Sequence, residues 1–180
     1  MAQSELLTFD DLFHFPDDGL RRELIDGELF VSPSPVTRHQ EILGRLYLEF
    51  GVHVRDVGGG KVFIAPLDIL FSDRDVVEPD LIVVADDRLD VIGEKNLRGV
   101  PSLLIEVVSD SRYDRVRKRD LYARYGVPLY WIVDPDADRI EVYHHEAGGY
   151  AKPEIFEPGD TLTVEFLPGL ALDLTTIFAR

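Results

Sequence analysis

Leu103-Leu104-Ile105-Glu106-Val107-Val108 is the stretch of sequence that decides the fold, because it is an apolar run of strand length with a carboxylate inside it. Side chains alternate faces along a strand, so Leu104, Glu106 and Val108 are predicted to share one face. Burying a carboxylate is costly unless a partner or a metal ion offsets its charge. The sequence therefore predicts that Glu106 has a partner or binds a metal ion.

A second apolar run begins at Glu78-Pro79-Asp80 and continues as Leu81-Ile82-Val83-Val84. If the two runs are neighbouring strands, Asp80 and Glu106 converge at one end of a sheet. Two such oxygen ligands suit Mg²⁺ or Mn²⁺, with waters and a substrate phosphate completing the octahedron. Taken alone, Pro-Asp is also common at a turn, so Asp80 could simply end a strand.

A basic helical segment follows the Glu106 run. Asp114, Lys118 and Tyr122 are spaced at i, i+4 and i+8, which predicts that they share one helix face. Residues 112–124 contain six basic side chains, Arg112, Arg115, Arg117, Lys118, Arg119 and Arg124. A cationic helix beside two carboxylates suits the binding of phosphodiesters. Asp114 and Lys118 alone would also fit an ordinary solvated ion pair.

The composition sets limits on the class of protein. The 180 residues, 45% of them hydrophobic, predict one domain over residues 1–180. The 19 basic and 34 acidic residues leave a net charge of -15, which argues against non-specific coating of nucleic acid and against an anionic membrane surface. No cysteine is present, which excludes disulfides and thiolate metal sites. Without a long apolar segment, we expect a cytoplasmic protein with no membrane partner.

The rest of the chain predicts an α/β or α+β domain built on a mixed sheet with a crossover helix. The Asp26-Gly27 pair predicts a hairpin, and Gly126 predicts the end of a helix. Ser34-Pro35 reads as an N-cap followed by a first-turn proline. The remaining predicted elements are a short helix from Thr8, a helix over 35–51, a strand over 62–71 containing Asp68, a polar turn over 72–78, a helix over 113–125, a strand over 129–133, and a hairpin of 139–144 with 151–156.

The order and spacing of these pieces resemble the Uma family, a branch of the PD-(D/E)xK restriction-endonuclease-like superfamily. The resemblance covers nearly the whole chain up to about residue 145. The matching pieces are Glu23-Leu24-Ile25-Asp26-Gly27-Glu28, His39, Pro66-Leu67-Asp68-Ile69, Pro79-Asp80, Ile105-Glu106-Val107-Val108-Ser109, the series Asp114, Lys118 and Tyr122, and Gly126-Val127 through Tyr130-Trp131-Ile132-Val133-Asp134-Pro135.

The resemblance implies a mixed central sheet flanked by helices, with an N-terminal hairpin and C-terminal β-hairpin additions. It also implies that Asp80, Glu106 and the Val107 carbonyl hold Mg²⁺ or Mn²⁺. The superfamily's usual lysine, two positions after the glutamate, is replaced here by Val108. The resemblance therefore implies that Lys118, on the helix, orients or deprotonates the attacking water, or steadies the developing charge.

Five further residues are expected to support this site, namely Glu23, His39, Asp68, Asp114 and Tyr122. Glu23 would add a third carboxylate near the metal, although a polar position on the exposed face of a hairpin would explain it as well. A single histidine on an amphipathic helix is more often packed or capped than catalytic, which is the alternative for His39.

The resulting expectation is a Mg²⁺-dependent endonuclease that hydrolyses phosphodiester bonds in nucleic acid, with DNA as the expected partner. A catalytically inactive nucleic-acid- or protein-binding module of the same fold is the alternative. Hydrolysis of another phosphate ester at the same site is a third reading. Restriction-like enzymes often pair to cut two strands, so the resemblance also makes a homodimer an expectation.

Overall fold

The computed structural model describes residues 6–32, 34–108 and 113–180, without the side chains of residues 113 and 114. The helices of these residues are α1 Phe9–Leu12, α2 Thr37–Asp56, α3 Arg119–Tyr125 and α4 Leu174–Ile177, with a 3₁₀ segment at Asp86–Val91 and a π-helical segment at Tyr113–Lys118. The strands are β1 Arg21–Ile25, β2 Glu28–Ser32, β3 Gly60–Ile64, β4 Ile69–Ser72, β5 Asp75–Val77, β6 Leu81–Ala85, β7 Leu97–Arg98, β8 Leu103–Val107, β9 Leu129–Asp134, β10 Arg139–Glu146, β11 Gly149–Tyr150, β12 Glu154–Phe156, β13 Thr161–Thr163 and β14 Ala171–Asp173.

The central sheet has the order β11-β10-β9-β8-β6-β3, and β12 also pairs with β10. Its two middle strands, β8 and β9, run parallel, and the other pairs are antiparallel. The chain crosses between β8 and β9 through the π-helical segment and α3, as a parallel pair requires. A smaller sheet has the order β2-β1-β5-β4-β7, and β13 pairs with β14.

Both faces of the central sheet are covered. On one face, Ile105 and Trp131 pack with Ile42 and Phe50 of α2 and with the C-terminal elements. On the other face, the side chains of β8 and β9 pack against α3 and the smaller sheet. Strands buried on both faces read as nearly continuous apolar runs, which explains why the Glu106 run lacks polar alternation. The fold class is the one predicted, with mixed sheets flanked by helices.

Local sequence signals predicted several elements correctly. Thr8 and Asp11 form the capping box of α1. Asp26 and Gly27 both have positive φ in the β1–β2 turn, at 54° and 77°. Gly126 ends α3 in the left-handed conformation, at φ 72°. The strand at residues 129–133 and the hairpin formed by β10 and β12 are also present.

The predicted boundaries of the first long helix were wrong. It begins at Thr37 after an extended Val36, so Ser34 is not its N-cap. It continues past residue 51 to Asp56, because Phe50 and Val54 extend its apolar stripe against the sheet. Gly51 lies inside the helix and does not end it.

Two further predictions around the smaller sheet were wrong. The strand predicted over residues 62–71 is two strands, β3 and β4, which belong to different sheets. Pro66 has no backbone N–H for a ladder, and Asp68 lies outside both strands. The predicted polar turn over 72–78 contains β5, whose Val76 and Val77 are fully buried. Tertiary burial there outweighs the polar residues on either side.

No helix in the described parts of the chain is both long enough and apolar enough to cross a membrane.

Candidate active site

Asp80 and Glu106 lie side by side because their strands are neighbours. β6 and β8 pair antiparallel, with Leu81 opposite Ile105. Continuing that register by one residue places Asp80 beside Glu106 at the end of the sheet. Glu106 shares its face with Leu104 and Val108, as alternation predicted, since both belong to the apolar cluster beneath the smaller sheet.

The Asp80 carboxylate is buried and accepts hydrogen bonds on both oxygens. Oδ2 lies 3.0 Å from His39 Nε2 and 2.8 Å from the Val107 backbone nitrogen. Oδ1 lies 3.1 Å from both terminal nitrogens of Arg21. Burial by itself would raise the pKa of Asp80, but the His39 contact and the charges of Arg21 and Lys118 outweigh it, so the pKa lies below its ordinary value. Asp80 is therefore ionised at neutral pH.

Glu106 belongs to a second buried network with Lys118 at its centre. The Lys118 ammonium lies 2.9 Å from Glu106 Oε1 and 2.8 Å from Glu23 Oε1. The hydroxyl of Tyr122 donates to Glu106 Oε1 at 2.8 Å. Burial, followed by the charge of Glu106, raises the pKa of Tyr122, so its hydroxyl remains a hydrogen-bond donor. Lys118, although on the helical segment, faces Glu106 and is only 1% exposed.

Glu23 connects this network to the smaller sheet. Its Oε1 also accepts the backbone N–H of Glu78 at 2.7 Å. Its Oε2 is buried and finds no hydrogen-bond partner among the described residues. Asp68 lies nearby, and its pKa is raised first by burial and then by the charge of Glu23. The smaller sheet thus adds acidic groups to the same end of the central sheet.

Asp80 and Glu106 face a cleft of about 640 Å³ between α2, β1 and the ends of the central strands. Val107 and His39 also line it, and its outer wall is partly apolar, with Leu20 and Val36 exposed at 43% and 59%. Clefts with an apolar wall and a few converging polar groups are typical of binding sites.

Comparisons with known proteins identify the family and the fold of this chain. The family described as "Putative restriction endonuclease", Uma2, matches residues 9–175. The chain belongs to the Uma2 family. A solved structure, described as a "putative nuclease belonging to DUF820" from Anabaena variabilis, superposes with a TM-score of 0.80. It is 22% identical, and the match covers 96% of this chain and 98% of the other. The search of curated proteins gave no match.

Several residues expected from the Uma resemblance meet at this one place. One set of contacts joins Asp80, His39 and Val107, and a second set joins Glu106, Lys118, Glu23 and Tyr122. The two sets meet where Asp80 lies beside Glu106. Asp68 is near Glu23, outside the strand in which it was expected. The side chain of Asp114 lies outside the described residues.

The cationic helix that the basic residues of 112–124 predicted is largely neutralised within the protein. Arg115 pairs with Asp134 and Glu141, and Arg117 pairs with Glu28. The other pairs are Arg119 with Asp120, and Arg124 with Asp26 and Asp75. Arg112 lies outside the described residues. None of these four arginines is among the residues that line the cleft.

Arg21 is the site residue that the sequence reasoning missed. It lies two positions before Glu23 on β1, and strand alternation places those two side chains on the same face. The signal was therefore present as an arginine at i−2 from a candidate carboxylate. Its contact with Asp80 spans 59 residues of sequence, so nothing local indicated that partner.

Proposed function

We propose that this member of the Uma2 family is a metal-dependent endonuclease that hydrolyses phosphodiester bonds, with DNA as its expected substrate. One observation carries the proposal: Asp80 and Glu106, at the ends of neighbouring strands, line the same cleft, and the Lys118 ammonium lies 2.9 Å from Glu106 Oε1. Outside functional sites, buried ionisable groups in this number are uncommon because each costs free energy to desolvate.

The donor set fits a hard divalent cation. Asp80, Glu106 and the Val107 carbonyl would hold Mg²⁺ or Mn²⁺, both of which prefer oxygen ligands. Among the described residues, no three acidic or histidine side chains are grouped closely enough to form a complete cage. Magnesium sites commonly use one or two carboxylates and leave positions for water and substrate phosphate. When bound, such an ion lowers the pKa of a water and offsets charge in the transition state.

The surrounding residues of the chain would orient the carboxylates. His39 and the Val107 N–H fix Asp80 Oδ2, and Tyr122 and Lys118 fix Glu106 Oε1. Lys118 also offsets the charge of Glu23, which lets three carboxylates share a small volume. In this proposal, Lys118 supplies the positive charge that the superfamily's lysine would supply from position 108.

Cleavage assays test the proposal. Plasmid, single-stranded DNA and RNA would each be incubated with Mg²⁺, Mn²⁺ or chelator. We expect metal-dependent cleavage that Glu106→Gln lowers by about 100-fold or more, as for loss of an essential catalytic group. Glu141→Gln is the matched control, since Glu141 is also buried but pairs with Arg115 away from the cleft. Cleavage by Glu106→Gln at the wild-type rate would refute the assignment.

A catalytically inactive binding module is the second candidate function. Two observations favour it: Val108 stands at the position of the usual lysine, and both oxygens of Asp80 already accept hydrogen bonds. Calorimetric titration with Mn²⁺ separates the two candidates. Metal binding that Glu106→Gln removes supports the enzyme, whereas no carboxylate-dependent binding supports the module. A homodimer stays a prediction, which analytical ultracentrifugation would test.

A further inference from the structure

Arg21 lies between the proposed metal ligand Asp80 and the open space of the cleft. Its two terminal nitrogens both lie 3.1 Å from Asp80 Oδ1, and its Nε lies 2.8 Å from Glu78 Oε1. The side chain is 22% exposed and lines the cleft, whereas the side chain of Asp80 is 3% exposed. A planar guanidinium can hold two carboxylates in this way, which a single ammonium cannot do as well.

Arg21 balances negative charge on the acidic residues that line the cleft. Among the described residues that line it, four are acidic, namely Asp17, Glu78, Asp80 and Glu106. Within the described part of the chain, Arg21 is the one arginine or lysine in that lining. Lys118 lies behind Glu106 and already contacts two carboxylates. The guanidinium of Arg21 is therefore the counter-charge that Asp80 and Glu78 share.

A divalent cation on Asp80 would conflict with this arrangement. An ion held by Asp80 Oδ1 would compete with the Arg21 guanidinium for the same oxygen. Two cations on one carboxylate oxygen would repel each other strongly in a partly buried site. Because Arg21 has a flexible stem and lines the cleft, we expect its guanidinium to rotate into the cleft while the β1 backbone stays in place.

We propose that Arg21 is an internal counter-cation that neutralises Asp80 when no metal is bound, an inference that rests on the proposed function. A divalent cation that binds Asp80 Oδ1 must first displace the Arg21 guanidinium from that oxygen. The free energy of this displacement is subtracted from the free energy of metal binding. Arg21 therefore sets the metal concentration at which the site is filled, and it stabilises the acidic cleft when the metal is absent.

The test compares Arg21→Met with Arg22→Met. Both changes remove one positive charge from adjacent residues, but Arg22 pairs with Asp18 and packs on Phe15 outside the site. Isothermal titration with Mn²⁺ should give an affinity for Arg21→Met that is about tenfold or more above wild type. Arg22→Met should stay within about threefold of wild type, because Arg22 pairs with Asp18 and not with Asp80 or Glu78.

Thermal unfolding supplies the second readout. In chelator, Arg21→Met should melt below both wild type and Arg22→Met, and Mn²⁺ should raise its melting temperature by more than it raises theirs. If Arg21→Met does not fold, Arg21→Lys replaces it, because one ammonium keeps the charge but loses the forked contact. Its Mn²⁺ affinity should lie above that of wild type.

The outcomes separate this inference from the proposed function. Equal Mn²⁺ affinity in wild type, Arg21→Met and Arg22→Met, lost with Glu106→Gln, would overturn the role of Arg21 and leave the metal site standing. Binding by Arg21→Met alone would support the inference strongly. If no variant binds Mn²⁺ or Mg²⁺, both proposals are wrong.

Discussion

At the scale of single residues, Lys118 is the charge on which the buried network depends. Its ammonium lies between Glu23 and Glu106, and all three side chains are 2% exposed or less. Lys118→Met would leave both carboxylates buried without that cation. We expect the free energy of unfolding, measured with urea, to fall by about 3–5 kcal/mol, the usual cost of breaking a buried ion pair.

Arg117→Met is the control for that change. Arg117 precedes Lys118 in the same π-helical segment, but its side chain is 47% exposed and pairs with Glu28 at the surface. Surface pairs contribute about 0–1 kcal/mol, so this variant should remain close to wild type. Equal losses for the two variants would show that the lysine ammonium is not a structural partner of the carboxylates.

The lowered pKa of Asp80 predicts that the stability of the protein depends on pH. Its pKa in the folded protein lies below the ordinary 3.8, so the ionised form stabilises the fold above that pH. The contribution is lost as the pH falls below 3.8 through the lower folded pKa. Urea unfolding should show Asp80→Asn less stable than wild type by about 2 kcal/mol at pH 7. The difference should shrink as the pH approaches 3, and a constant difference would contradict the prediction.

At the scale of secondary-structure elements, two glycines test how helices end. Gly126 closes α3 with a φ of 72°, whereas Gly51 lies within α2, where an added Cβ would meet no atom of the described residues within 4 Å. Gly126→Ala should cost about 1 kcal/mol because alanine is strained in the left-handed region. Gly51→Ala should stabilise the protein by about 0.5–1 kcal/mol. Urea unfolding measures both changes in the free energy of unfolding. Changes of the same sign in the two variants would contradict the prediction.

The helical connection between β8 and β9 places two hydrogen-bond donors beside Glu106. Its first part, Tyr113–Lys118, is π-helical, and the α-helix begins only at Arg119. Lys118 and Tyr122, one on each side of this transition, both contact Glu106 Oε1. π-Helical turns are rare in proteins, and those that occur are often found at functional sites. The connection therefore presents two donors to one buried carboxylate.

At the scale of the whole molecule, the net charge of -15 opposes the binding of a polyanion. The arginines of the helical connection are paired internally, and the cleft is acidic, so a bound divalent cation would have to offset the repulsion. Fluorescence anisotropy with labelled DNA should show no binding tighter than about 100 µM in chelator at physiological salt. Ca²⁺, which also prefers oxygen ligands, should restore binding.

Glu106→Gln is the control for this prediction, since it should lose the cation-dependent part of the binding. Equal binding with chelator and with Ca²⁺ would mean that the DNA contacts a surface other than the acidic cleft. The salt dependence of binding would then count the phosphate contacts on that surface.

The sequence by itself determined the features that have a local physical cause. Alternation along β8 placed Glu106 on the face of Leu104, Asp26-Gly27 specified the first hairpin, and Gly126 ended α3. An acid inside an apolar run pointed to the candidate site, because its burial requires compensation.

Only the tertiary structure decided which groups compensate the buried charges. Strand order joined Arg21 to Asp80 across 59 residues, and burial turned Lys118 inward toward Glu106 and Glu23. It also divided one predicted strand between two sheets at Pro66. Periodicity and turn chemistry act over a few residues, whereas the partner of a buried charge depends on which distant strands become neighbours. The acid at position 106 was thus visible in the sequence, and the resemblance already pointed to Lys118. Only the fold showed that Lys118 is shared with Glu23 and that Arg21 pairs with Asp80.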